Sequence, residues 1–145
     1  MENWPRIDLE TMKEYKMCFG CGPKNPIGLK LKFEWDGKTA RSIFTPGENF
    51  QGWGGYLHGG VTACVLDEAM GWAAMFSGFY NVTAKMQVRY RKMARIDESY
   101  NVSCTVVKKT SRLIETEASM VASDGTIIAD ASSTQFIVNA ASPNQ

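Results

Sequence analysis

The chain has 145 residues, 44% hydrophobic and 11% aromatic, with 16 lysines and arginines against 15 aspartates and glutamates and a net charge of +1. That length and apolar content allow one globular domain with a real core, and the near-neutral charge excludes a dedicated nucleic-acid binder, which needs a basic excess. The longest apolar run is interrupted by Asp67 and Glu68 and is too short to span a membrane, and residues 1–6 lack the apolar core of a signal peptide, so a cytoplasmic location is the expectation.

Taken in chain order, Asp8 to Lys16 reads as a short helix, with Asp8 as its cap and Leu9, Met12 and Tyr15 on one face. A Gly/Pro/Asn-rich loop follows from Gly20 to Gly28. Leu29 to Trp35 alternates apolar and polar residues as a half-buried strand. Asp36-Gly37 turns the chain into a second strand, Thr39 to Thr45. Pro46 to Leu57 is a loop. Gly59 to Phe76 is one long helix, apolar on nearly every face and therefore expected in a core. Four strands complete the chain: Thr83 to Met93, Tyr100 to Val107, Arg112 to Ala122 and Thr126 to Val138. Asp124-Gly125 is a second hairpin signal, and Asn139 to Gln145 reads as a frayed tail. An antiparallel sheet of about six strands wrapped around one central helix satisfies this order, an α+β arrangement.

Chemistry concentrates on that helix. His58-Gly59-Gly60 opens it, where free backbone N–H groups and the positive dipole end hold developing negative charge. Asp67 lies seven residues, nearly two turns, below Gly60, with Cys64 and Gly71 near the same line. This makes a seam of small side chains interrupted by one carboxylate. Glu68 is rotated about 100° from it and reads as a paired structural acid. At about 1.5 Å per residue, Gly59 and Asp67 are about 12 Å apart. A reacting carbonyl must sit about 3 Å from both its oxyanion donors and its base or nucleophile. Two antiparallel helices across a two-fold axis supply both, so a homodimer or dimer of dimers with shared sites is expected. His58, the only histidine, reads equally as a group near the reacting bond or as a cap bonded to the backbone.

Cys18 and Cys21 form a Cys-x-x-Cys in Met17-Cys18-Phe19-Gly20-Cys21-Gly22. Zinc normally takes four ligands. Only Cys64, Cys104 and His58 remain as candidates, each inside a predicted element without ligand spacing. The motif therefore reads as a tight turn with two reduced thiols, and neither metal nor cofactor is expected.

Three stretches carry a family resemblance: Cys18 to Leu29; His58-Gly59-Gly60 with Leu66-Asp67-Glu68-Ala69-Met70-Gly71; and Val82-Thr83-Ala84 with Val88-Arg89-Tyr90. With these the chain resembles the hotdog-fold acyl-CoA thioesterases, in the PaaI-like branch named for the phenylacetate pathway. The match spans nearly the whole chain, read as one hotdog domain, 1–145, with residues 1–28 as an N-terminal extension. The resemblance implies hydrolysis of acyl-CoA thioesters. Asp67 would activate water or attack the carbonyl, and the Gly59 amide would polarise the thioester oxygen. His58 and Thr83 would assist, and Gly60 and Gln51 would contact substrate. Many relatives carry His where this chain has Phe50. Strand alternation puts Thr83 on the polar face, so its candidacy rests on the resemblance. Coenzyme A carries phosphates, and Arg89, Arg91 and Lys92, with Arg95 beyond, are candidate partners. Trp53, Tyr56, Trp72, Phe76, Phe79 and Tyr80 are candidates for an acyl pocket. The rival readings are a non-catalytic acyl-CoA binder or sensor on the same fold, an enoyl-thioester hydratase and a small zinc module.

Overall fold

The computed structural model describes residues 9–140. In chain order the elements are α1 (Leu9–Lys13), β1 (Glu34–Trp35), β2 (Thr39–Phe44), a single 3-10 turn (Glu48–Phe50), α2 (Gly59–Phe76), β3 (Phe79–Tyr90), β4 (Tyr100–Lys109), β5 (Leu113–Ala122) and β6 (Ile127–Ala140). The strands form one antiparallel sheet in the order β1-β2-β4-β5-β6-β3. α2 lies against it and touches β2 through β6. This is the hotdog arrangement, a sheet wrapped around one long helix. No helix among the described residues is long and apolar enough to cross a membrane.

Period-two alternation selects the inner face. Ala40 and Phe44, Tyr100, Val102 and Cys104, Ala118 and Met120, and Ala129 and Ala131 all point into one core with α2. The helix answers with Thr62, Val65, Leu66, Ala69, Met70, Ala73 and Ala74, all buried at helical spacing. Each fully buried Val, Leu or Met contributes about 1.5–3 kcal/mol. The helix is thus buried along one stripe, not on every face. Cys64, Asp67, Glu68, Gly71, Trp72 and Met75 are only half-buried.

Several boundaries differ from the sequence reading for identifiable reasons. Asp8, the expected cap, lies outside the described residues, and α1 ends at Lys13, short of Lys16. Leu29 to Phe33 keeps the alternating burial but is not laddered. Leu29 and Leu31 donate their amides to the carbonyls of Phe19 (2.8 Å) and Gly20 (2.9 Å), so β1 retains only Glu34 and Trp35. β3 starts at Phe79 and ends at Tyr90, where the pairing with β6 stops. β6 runs on through Asn139 and Ala140, and residues 141–145 lie outside the described region.

The two hairpin signals fold as read. Asp36 Oδ1 accepts from the amides of Lys38 (2.9 Å) and Thr39 (2.7 Å), and Asp124 Oδ1 from Thr126 (2.8 Å). These backbone donors hold both carboxyls below the usual range. Gly37 (φ 95°) and Gly125 (φ 90°) take the left-handed conformation that side chains resist. Gly125→Ala is expected to cost about 1 kcal/mol and to lower Tm by about 2–4 °C. Gly47→Ala, at φ −87° with open space around the added methyl, is the control and is expected to change Tm little. Thermal denaturation of the three proteins checks both.

Candidate active site

The acid end of the site is built by α2 and β3 together. Thr83 Oγ1 donates to Asp67 Oδ1 at 2.7 Å. Simple alternation puts Thr83 on the outer face with Lys85, Gln87 and Arg89. A β-bulge overturns that expectation. The register passes from Thr83 opposite Gln135 directly to Lys85 opposite Thr134, so Ala84 is the extra residue. The bulge shifts the alternation by one, and Thr83 shares the helix side of the sheet with Met86, Val88 and Tyr90.

Behind Thr83 runs a row of buried polar groups on β6 and β5. Thr83 Oγ1 lies 3.0 Å from the Gln135 side-chain amide, which lies 2.7 Å from Ser133 Oγ, itself 2.7 Å from Thr116 Oγ1. Gln135, Thr116 and Ser133 are all buried. Thr83 has a single hydroxyl proton, and Asp67 is its better acceptor. The two ends of a carboxamide are isosteric, so an amide rotated to aim Nε2 at Thr83 satisfies every member with one proton each. In that arrangement every donor points toward Asp67, and the hydrogen bonds reinforce one another.

Asp67 opens onto a groove of about 540 Å³ walled by Tyr15, Glu68, Gly71, Trp72 and Tyr80. Of the aromatic candidates, Trp72 and Tyr80 therefore line it. Tyr15 meets Trp72 edge-on at 5.9 Å, which brings the N-terminal segment into the wall. Phe76 stacks on Trp35 at 5.5 Å, Phe79 lies under the Lys109 ammonium, Tyr56 lies under Arg95, and Trp53 is exposed.

Glu68 faces away from Asp67, toward the Cys-x-x-Cys turn, where Cys18 Sγ approaches its Oε1 to 3.4 Å. Burial is the main cause that pushes its carboxyl above the usual range. Burial, and then Glu68 itself, raise the Cys21 and Cys64 thiols, the latter to about 11. Cys104 lies inside the core and is pushed up to about 12, chiefly by desolvation.

At the other end of α2, His58 is the N-cap. Its Nδ1 accepts from the Gly60 amide at 2.8 Å. Val61 and Thr62 both donate to the His58 carbonyl. The Gly59 amide is thus the helix-start donor with no acceptor among the described residues. Tyr90, named in the sequence only as the end of the Val88-Arg89-Tyr90 stretch, donates its hydroxyl to the Gly59 carbonyl at 2.7 Å. Gln51 folds back on its own loop: Nε2 donates to the Glu48 carbonyl and Oε1 accepts from the Gly55 amide.

The structure therefore joins Asp67 with Thr83, and His58 with Gly59 and Gly60, as two separate clusters on one helix. Arg89 stands on the outer sheet face, beside a polar hollow with Gln87, Glu117 and Asp130. Arg91 bonds Asp130, and Lys92 is exposed just beyond β3.

With this geometry in hand, comparisons with known proteins agree on the fold. A family model described as the thioesterase superfamily matches residues 54–129. No curated protein matches the chain in sequence. Among solved structures, a Streptococcus mutans protein bound to acetyl-CoA superposes with a TM-score of 0.73 at 15% identity, over 77% of this chain and 91% of that one. The protein RHA08564, described as a thioesterase superfamily protein, gives 0.75 at 26% identity, over 80% of this chain and 60% of that one. The Escherichia coli PaaI protein, from the phenylacetic acid degradation operon, gives 0.73 at 13% identity, over 78% and 83%.

The cap itself is testable. His58→Ala removes the acceptor of the Gly60 amide and is expected to destabilise the fold by about 0.5–2 kcal/mol, whereas His58→Asn, a strong N-cap, is expected to restore most of the loss. Chemical denaturation of the three proteins measures the difference.

Proposed function

Because the chain belongs to the thioesterase superfamily, we propose that it hydrolyses acyl-CoA thioesters, with Asp67 as the reactive acid and the Gly59 amide as oxyanion donor. The observation that carries this reading is the Thr83–Asp67 hydrogen bond at the lip of the groove. It fixes one carboxylate oxygen and leaves Oδ2 for the reaction. That oxygen either takes a proton from water, which attacks the carbonyl, or attacks the carbonyl itself. In both cases negative charge builds on the thioester oxygen, the C–S bond breaks, and the coenzyme A thiolate leaves. Hydrolysis of an acyl-aspartate completes the second route.

The oxyanion falls to Gly59 because its neighbour's amide is already engaged. Gly60 donates to His58, while Gly59 N–H, at the positive end of α2, has no acceptor among the described residues. In this reading His58 acts by holding the helix start rather than by moving a proton. Gly60 and Gln51 shape the same entrance, and Lys92, with Arg91 beside it, is our choice for a phosphate partner.

Gly59 and Asp67 are about 12 Å apart along α2, so one protomer does not complete the site. We assign the other half to a second copy. β3 supports this: it is a sheet-edge strand of 12 residues, and its outer backbone groups have no partner strand among the described residues. We read residues 1–28 as an extension of the domain, and its Tyr15 walls the groove. The bound acetyl-CoA of the streptococcal neighbour supports the substrate class, and the PaaI-like branch is the assignment we favour. The proposed compartment is the cytoplasm.

A panel of acyl-CoAs, with released thiol trapped by a chromogenic reagent, tests the reading. Asp67→Asn is expected to lower kcat by about 10²–10⁴-fold with the fold retained. Thr83→Val is expected to lose part of kcat and Thr83→Ser to regain it. If Asp67→Asn turns over like the parent protein, the acid is structural. If the parent binds acyl-CoA but releases no thiol, the chain is a binding protein. Light scattering at micromolar concentration is expected to show a dimer or larger species, and an active monomer would refute the shared site.

A further inference from the structure

The sequence offers Cys18 and Cys21 no third metal ligand, but the fold supplies one. The two Sγ atoms and a carboxylate oxygen of Glu68 lie within 4.8 Å of one another. Glu68 stands 50 positions after Cys18, so nothing in the local spacing announces the meeting.

The turn is shaped around this carboxylate. A Cβ on Gly20 would fall 2.1 Å from Glu68 Cγ and 2.4 Å from its Oε1. A Cβ on Gly22 would fall 2.4–2.5 Å from the backbone of Cys18 and Lys16. Only glycines let Glu68 enter the mouth of the turn and let the turn close. The loop is held from outside as well: Gly22 donates to the Cys18 carbonyl, Asn25 Nδ2 to that of Met17, and Leu31 to that of Gly20.

No cation answers Glu68 among the described residues. The ion pairs among the described residues are Lys13–Glu10, Arg41–Asp36 and Arg91–Asp130, and none reaches Glu68. Its polar company is the two thiols, and the neighbouring Asp67 carboxylate is of like charge. Three groups able to carry negative charge converge, and no basic side chain among the described residues pairs with them.

We propose that Cys18, Cys21 and Glu68 bind a zinc ion, with the fourth position left to solvent. Two thiolates favour zinc over magnesium or calcium, which take oxygen ligands. With Zn–S of about 2.3 Å and Zn–O of about 2.1 Å, a tetrahedral site needs ligand separations of about 3.6–3.8 Å, so small side-chain rotations suffice. Both thiols release their protons to solvent as the metal binds. The ion would fasten the N-terminal segment to α2 one residue from Asp67, and so hold the Tyr15–Trp72 wall of the groove. This inference does not depend on the proposed hydrolysis.

The test is metal analysis of the full chain, purified with a non-thiol reductant and no chelator from zinc-supplemented cells. About one zinc per chain is expected, and titration with a mercurial should release it as two thiols react. Cobalt exchanged into the site should give a thiolate-to-cobalt charge-transfer band. Cys18→Ser and Cys21→Ser should each abolish the band and the bound zinc, and Cys104→Ser should keep both. Glu68→Gln should weaken zinc binding by more than about tenfold, the least that loss of even an outer-shell partner gives. Less than about a tenth of an equivalent of zinc, with no cobalt band, overturns the proposal. So does zinc that persists in both cysteine variants, or a Cys18–Cys21 disulfide without metal. The mercurial and cobalt readouts use the unmodified chain, so a variant that fails to fold does not shield the idea.

Discussion

Two adjacent carboxylates on one core helix constrain this fold more than any other feature. α2 must bury a stripe against the sheet, and Asp67 and Glu68 must both stay off that stripe. A half-buried carboxylate needs donors close by. Because the two side chains diverge by about 100°, one neighbour cannot serve both. Asp67 takes Thr83 from the sheet edge, and Glu68 takes the thiols of the N-terminal turn. The edge strand and the N-terminal segment are thereby drawn to the helix, and the groove is the space between them.

The inner face of the sheet divides accordingly. Beneath most of α2 it is alanine, valine, methionine and aromatic. Toward Asp67 it turns polar, with Thr116, Ser133 and Gln135 buried in a row that ends on Thr83. Each such hydrogen bond contributes only about 1 kcal/mol net, and an apolar core of the same shape would be about as stable. What the row adds is direction. It leaves Thr83 one orientation, and Thr83 leaves Asp67 one free oxygen.

Much of this was legible in the sequence because burial follows period. α2 begins and ends where His58-Gly59 and Phe76 put it, and β4 and β5 depart little from their alternation. Helical geometry set Asp67 and Glu68 about 100° apart, and in the structure the first meets Thr83 and the second the N-terminal turn. Three things stayed hidden, each for a physical reason. The Ala84 bulge breaks the period-two rule, and nothing in Val82-Thr83-Ala84 marks where a sheet will add a residue. The pairing of Leu29 and Leu31 with Phe19 and Gly20 is a contact between a loop and an apparent strand. The Glu68 cluster joins positions far apart in the chain. Gly20 and Gly22 were the available signal: of two glycines flanking one cysteine, one lets the turn close and the other leaves room for a side chain to enter.

β3 ties these observations into one mechanical unit. Thr83 meets the helix at Asp67, and Tyr90, at the other end of the strand, meets it at Gly59. The strand therefore runs antiparallel to α2 and holds both proposed reactive points of the helix, Asp67 and Gly59, from one side. Its opposite side is the sheet edge. In the proposed dimer that edge faces the second copy, so the element that orients Asp67 and steadies the helix start also carries the contact that would bring the two proposed half-sites together. A displacement of β3 along its length would move Thr83 and Tyr90 together, and the acid and the helix start would lose their alignment in the same step. The bulge at Ala84 limits such sliding, because an extra residue on one strand fits its partner in a single register.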